Sequence, residues 1–113
     1  MENLEKLINT IVEAMDDKKA QGIVSLDLSG FDGAICSNFV VCHADSTTQV
    51  DAISQSIEEK VFEVMGEWPV RVEGRQNAFW VAMDYSDVIV HIFQTELRDF
   101  YRLEELWADA PMK

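Results

Sequence analysis

The spacing of apolar side chains along this chain predicts alternating helices and strands. Leu4, Leu7, Ile8, Ile11, Val12 and Met15 recur at i, i+3, i+4 and i+7, which predicts an amphipathic helix from about Glu2 to Lys19. Gln21-Gly22 is the expected stop. Apolar and polar residues then alternate from Ile23 to Leu28, the signature of a first strand, and Ser29 to Gly33 is rich in turn formers. Asn38 to His43 holds Phe39, Val40, Val41 and Cys42 in an unbroken run, so this strand is expected to be covered on both faces. Asp45-Ser46 opens a second helix, with Ser46 and Gln49 spaced as a capping box. Val50, Ile53, Ile57, Val61 and Val64 form its stripe, Gly66 closes it, and Pro69 bars its continuation. Val70 to Glu73, Phe79 to Tyr85 and Asp87 to Phe93 read as three more strands. The last two are close enough that only a tight antiparallel hairpin can join them. Thr95 is placed to cap a final helix carrying Leu97, Phe100, Tyr101, Leu103, Leu106 and Trp107, with a break near Arg102. The order is αββαβββα, an α/β layered domain with a mixed sheet.

Length and charge narrow what such a domain can do. At 113 residues and 48% hydrophobic content, one domain spanning 1–113 can bury its own core without disulfides or a structural metal. The net charge of −12 sets up a field that repels phosphate, so direct nucleic-acid recognition and binding to an anionic membrane are disfavoured. A basic protein would be attracted. Cys36 and Cys42 lack the spacing of a redox or metal motif and read as small buried hydrophobes. The N-terminus has no signal-type apolar stretch, and no apolar run reaches the roughly 20 residues needed to span a bilayer. A cytoplasmic location is expected.

The hairpin holds the candidate chemistry. Phe79, Val81, Met83 and Tyr85 share one face of the first strand and look like core, whereas Trp80, Ala82 and Asp84 share the other. A large aromatic two same-face positions from a charge fits a binding patch, and it also fits a helix packed over Trp80. Asp84 and Asp87 flank the turn and could share a divalent cation in a metal-dependent nucleotidyl- or phosphotransferase. Such a site needs further ligands, and the chain has no GxxxxGK[ST], GxGxxG or G-S…D-x-D motif. His43 and His91 lack a Cys or Ser partner at a recognisable spacing and read as structural. Arg71, Arg75, Arg98 and Arg102 stand singly among acids and form no basic stripe. No cofactor and no metal are expected.

The run W-V-A-M-D-Y-S-D-V-I-V-H-I-F, followed by R-x-F-Y-x-L-E-x-L-W, resembles the ribosomal silencing factor (Iojap-like) family over essentially the whole chain. The chain departs from the family pattern at Ala44 and Thr48, where a glycine and an arginine are usual, and at Ser86, where the hairpin turn normally has glycine. The resemblance implies a nucleotidyltransferase-like fold without the catalytic carboxylate motif. It also implies a non-enzymatic repressor that docks on ribosomal protein fourteen of the large subunit and blocks joining of the small subunit. Homodimers are a further implication. The family's contacts fall on Trp80, Asp84, Tyr85, Ser86 and Asp87.

Overall fold

The computed structural model describes residues 2–28 and 37–97. The turn-rich loop from Ser29, Cys36 and the final helix beyond Leu97 lie outside the described residues. The described elements run α1 (Glu2–Asp17), β1 (Gln21–Asp27), β2 (Asn38–Ala44), α2 (Thr47–Met65), β3 (Arg71–Glu73), β4 (Trp80–Asp84) and β5 (Val88–Gln94). Together they form an α/β arrangement around a five-stranded mixed sheet.

The sheet order is β1-β2-β5-β4-β3. β2 and β5 lie parallel at its centre, in a register that sets Val40 beside Val90 and Val41 beside His91. The remaining pairs are antiparallel. The central position of β2 accounts for its unbroken apolar run: Phe39 to Cys42 are all buried, Val40 and Cys42 towards the helices and Phe39 and Val41 towards the other face.

Both described helices pack on one face of the sheet. Leu7, Ile8, Ile11, Ala14 and Met15 of α1 join Val50, Ile53, Ile57 and Val61 of α2 over Val81, Met83, Val88, Val90 and Ile92. On the opposite face a second cluster gathers Leu26, Leu28, Phe39, Val41 and Phe93, with Val24, Trp80, Ile89 and Leu97 packed against it.

Several element ends differ from expectation. α1 is closed by Lys19, which takes the left-handed conformation at φ 59° while the Ala20 amide bonds the Met15 carbonyl at 3.0 Å. Gly22, also at φ 59°, lies instead inside β1, at the irregularity between Gln21 and Val24. Ser46 caps α2, its hydroxyl accepting from the Gln49 amide at 3.1 Å. Gln49 does not complete the box, because its side-chain amide donates to the Lys18 carbonyl at 3.1 Å and so ties α2 to the end of α1. Gly66 ends α2 as expected, at φ 69° with its amide on the Phe62 carbonyl. Val64 leaves the buried stripe and is 43% exposed, since it lies beyond the crossing where Lys60 meets Asp17 at 2.8 Å. The Thr95 hydroxyl donates to the Asp45 carboxylate at 2.7 Å, and most of the helix it was expected to cap lies outside the described residues. That bond and a second from Gln21 hold the Asp45 carboxyl below its ordinary range.

Candidate docking face

The alternation of β4 divides the hairpin between the two faces of the sheet. Val81 and Met83 are fully buried under the helices. Trp80, Ala82 and Asp84 turn to the other face, where each is half-buried. There Trp80 stacks on Phe93, its partner across the ladder, with ring centroids 5.0 Å apart at 27°. Its indole N–H donates to Nδ1 of His91 at 3.0 Å. His91 is 8% exposed, and Phe39 meets it edge-on at 4.7 Å. Burial pushes the imidazole down to about 4, so the ring is neutral at pH 7. With Nδ1 accepting from Trp80, the proton belongs on Nε2, which has no partner among the described residues.

Two shallow hollows open beside this aromatic group. One, of about 240 Å³, is lined by Arg71, Glu73, Ala82, Asp84, Ile89 and His91. The other, of about 290 Å³, lies between Trp80, Ala82 and the Glu73-Gly74 corner. Gly74 is required at that corner. It sits at φ +90°, and a Cβ there would run into the Trp80 carbonyl. The loop it opens is held from the helix side: Arg75 Nε donates to the Ser54 hydroxyl at 3.0 Å and its Nη1 reaches Glu58 at 3.4 Å.

The turn joining β4 to β5 is tight. The Tyr85 amide bonds the Val88 carbonyl and the Asp87 amide bonds the Tyr85 carbonyl, both at 2.9 Å. Ser86 takes φ 72°, the left-handed geometry for which glycine is the usual residue. Asp84 compensates, its carboxylate accepting from the Ser86 amide at 2.7 Å. Ser86 and Asp87 are exposed, and the Asp87 carbonyl also receives the amides of Ser37 and Asn38 at 2.9 and 3.1 Å.

Four of the five expected contact residues therefore lie on the face opposite the helices or in the exposed turn: Trp80, Asp84, Ser86 and Asp87. Tyr85 does not. It is 6% exposed and belongs to the helix-side core, where burial and nearby Glu58 raise its phenol well above the ordinary value. The period of two puts it with Val81 and Met83, and that placement prevails over the surface role the resemblance implied. Phe79 departs the other way. Expected in the core, it precedes β4 and is 50% exposed. His91, expected to be a structural residue, orients Trp80. The strand register places it opposite Ala82, one step diagonal from Trp80 on the same face. The Asp84 carboxylate is engaged within its own turn, and among the described residues no group of three His, Cys, Asp or Glu is arranged to hold a metal ion.

Comparison with known proteins agrees with this architecture. The chain matches the family described as "ribosomal silencing factor during starvation" over residues 1–113. It is similar to the ribosomal silencing factor of Halalkalibacterium halodurans, 41% identical over 95% of this chain and 90% of the relative. The ribosomal silencing factor of Bacillus subtilis is 37% identical over 97% and 92%. A crystal structure of a Chromobacterium violaceum protein superposes with a TM-score of 0.86 at 32% identity, covering 92% of this chain and 85% of that one. The matched family and the two named relatives are ribosomal silencing factors, a class of translation regulators. The chain belongs to the ribosomal silencing factor family.

Proposed function

We propose that this chain binds the large ribosomal subunit through its ribosomal protein fourteen and sterically blocks joining of the small subunit. The observation that carries the reading is the sheet face opposite the helices, where half-buried Trp80 is held on Phe93 by His91 beside the Asp84–Asp87 turn. A fixed, half-buried aromatic with an acidic border has the chemistry of an interface anchor for a basic protein. Net charge supports protein rather than RNA as the target, because −12 opposes a phosphate backbone. The mechanism needs no catalysis. A body with principal extents of 34 × 34 × 21 Å, seated on the face that the small subunit must meet, holds the two particles apart by its volume.

Trp80→Ala tests the docking. Loss of a hot-spot aromatic is expected to weaken co-sedimentation with purified large subunits by about 2 kcal/mol, roughly thirtyfold. Wild-type protein added to mixed subunits is expected to reduce the joined ribosome peak, and Trp80→Ala to restore it. A folded Trp80→Ala protein that binds as tightly as wild type removes Trp80 from the interface. Binding without loss of the joined peak removes the steric mechanism.

A further inference from the structure

A second aromatic group stands away from the Trp80 face. Phe62 lies in the last turn of α2 and Trp68 follows the Gly66 cap, whose left-handed φ of 69° reverses the chain. The reversal brings Trp68 back over Phe62, ring centroids 4.3 Å apart at 21°. Stacking fixes the pair without covering it: Phe62 is 45% exposed, Trp68 58%, and Val70 just beyond is 71% exposed. Large apolar side chains gathered at the surface in one fixed arrangement mark an interaction site better than scattered ones do.

The electrostatics of this end of the molecule select the occupant. Glu59 and Glu63 stand either side of Phe62 along α2 and Glu67 directly precedes Trp68; all three are exposed and make no ion pair among the described residues. Of the nearby cations, Lys60 pairs with Asp17 at 2.8 Å and Arg75 with Glu58 at 3.4 Å, which leaves Lys18, beside Glu59 and Glu63 in the groove towards α1, against three glutamates. α2 has no basic residue in its last turn, so the negative end of its dipole adds to the same field. A second copy of this chain would bring the same glutamates against these. Nucleic acid and anionic lipid would be repelled. A segment of protein rich in Lys or Arg would neutralise the glutamates and the helix end while laying a guanidinium or an apolar side chain on the Trp68 ring. We propose that the Phe62–Trp68 face is a second docking surface, separate from Trp80, for a basic segment of a partner protein.

The test uses the full chain labelled with nitrogen-15, with the indole resonances assigned from single Trp→Phe variants. The probes are a decapeptide of alternating arginine and leucine, its counterpart with glutamate for arginine, and a short single-stranded RNA. The basic peptide is expected to shift the Trp68 indole signal saturably, and the other two probes to leave it in place. Trp68→Ala and Glu67→Lys are each expected to weaken the basic peptide roughly tenfold. Glu5→Lys, the same change of charge on α1, is expected to change affinity less than about twofold. The proposal is overturned if the Trp68 signal stays still at saturating peptide, if Glu5→Lys weakens binding as much as Glu67→Lys, or if RNA moves the same resonance. It is also overturned if the wild type is a dimer that Trp68→Ala converts to monomer. None of these outcomes depends on large-subunit binding through Trp80.

Discussion

The indole N–H of Trp80 donates to Nδ1 of His91 at 3.0 Å across the β4–β5 ladder. This bond decides what each residue can offer a partner. Trp80 has spent its only donor, so it presents an aromatic surface whose angle is set by His91 on one side and Phe93 on the other. His91 is fixed as the neutral tautomer with its proton on Nε2, inside a cage that includes Phe39. The proposed docking face is thus organised around a buried histidine, and its shape depends on that histidine staying uncharged.

Stability should follow. The folded-state pKa of His91 is pushed down to about 4 by burial, below the ordinary 6.5. The unfolded chain therefore binds a proton that the folded chain refuses between these values, and stability falls as pH drops through this window. Fully developed, a shift of this size corresponds to roughly 3 kcal/mol. Urea denaturation of wild type and His91→Gln from pH 7.5 to 4.5 should show wild type losing about 2 kcal/mol more than the variant over that range. An imidazole that titrates near 6.5 by NMR would contradict the cage.

Tyr85 provides a test of which face matters. Its ring is packed under the helices and its hydroxyl has no partner among the described residues. Removing an unsatisfied buried hydroxyl should not destabilise, so Tyr85→Phe is expected to be neutral or to gain up to about 1 kcal/mol. Tyr85→Ala opens a core cavity and should cost about 3–5 kcal/mol. Tyr85→Phe should also bind large subunits like wild type. A clear loss of affinity in that folded variant would put the phenol back into the interface.

The contrast between Trp80 and Tyr85 shows how far the residues alone can be read. Alternation along β4 is a local property, and it separates Val81 and Met83 from Trp80 and Asp84 on the residues alone. It sorts Tyr85 as well, and the core position holds although family resemblance pointed to the surface. The Trp80–His91 bond required the register between two strands, which local spacing does not supply. Arg75 looked like an isolated cation because Ser54 and Glu58 are distant in sequence, on a helix that only the fold brings over it. Ends were the least legible. Whether Lys19 or Gly22 takes the left-handed turn, and whether Val64 or Phe79 lies under cover, depends on where the neighbouring layer stops.

Ser86 carries strain that a substitution can relieve. A non-glycine residue at φ 72° costs about 1–2 kcal/mol, offset in part by the Asp84 carboxylate on its amide. Ser86→Gly removes the strain but adds freedom to the unfolded chain, so the expected gain is about 0.5–1 kcal/mol, read as a higher denaturation midpoint at constant slope. Asp84→Ala should cost about 1–2 kcal/mol in wild type, by taking away the acceptor that holds the turn. Most of that loss should disappear when Ser86→Gly is already present, since glycine reaches the same geometry unaided. Purely additive effects in the double variant would mean that the carboxylate does not support the turn.

Gly74 sets the position of Trp80 from the other side. At φ +90° its Cα faces the Trp80 carbonyl so closely that any side chain collides with backbone, which cannot move aside as a rotamer can. Gly74→Ala should therefore both strain the loop and displace β4 from β3, at a cost of about 2 kcal/mol or more. The displacement has a consequence that simple instability lacks. It shifts Trp80 relative to His91 and Phe93, so large-subunit affinity should drop even below the temperature at which the variant unfolds, and the Trp80 indole resonance should move. The loop remains tied to α2 through Arg75, Ser54 and Glu58, so the helix-side core should keep its signals. If Gly74→Ala is less stable but leaves both the indole resonance and the affinity unchanged, the close approach at Gly74 positions the loop alone and not the docking face.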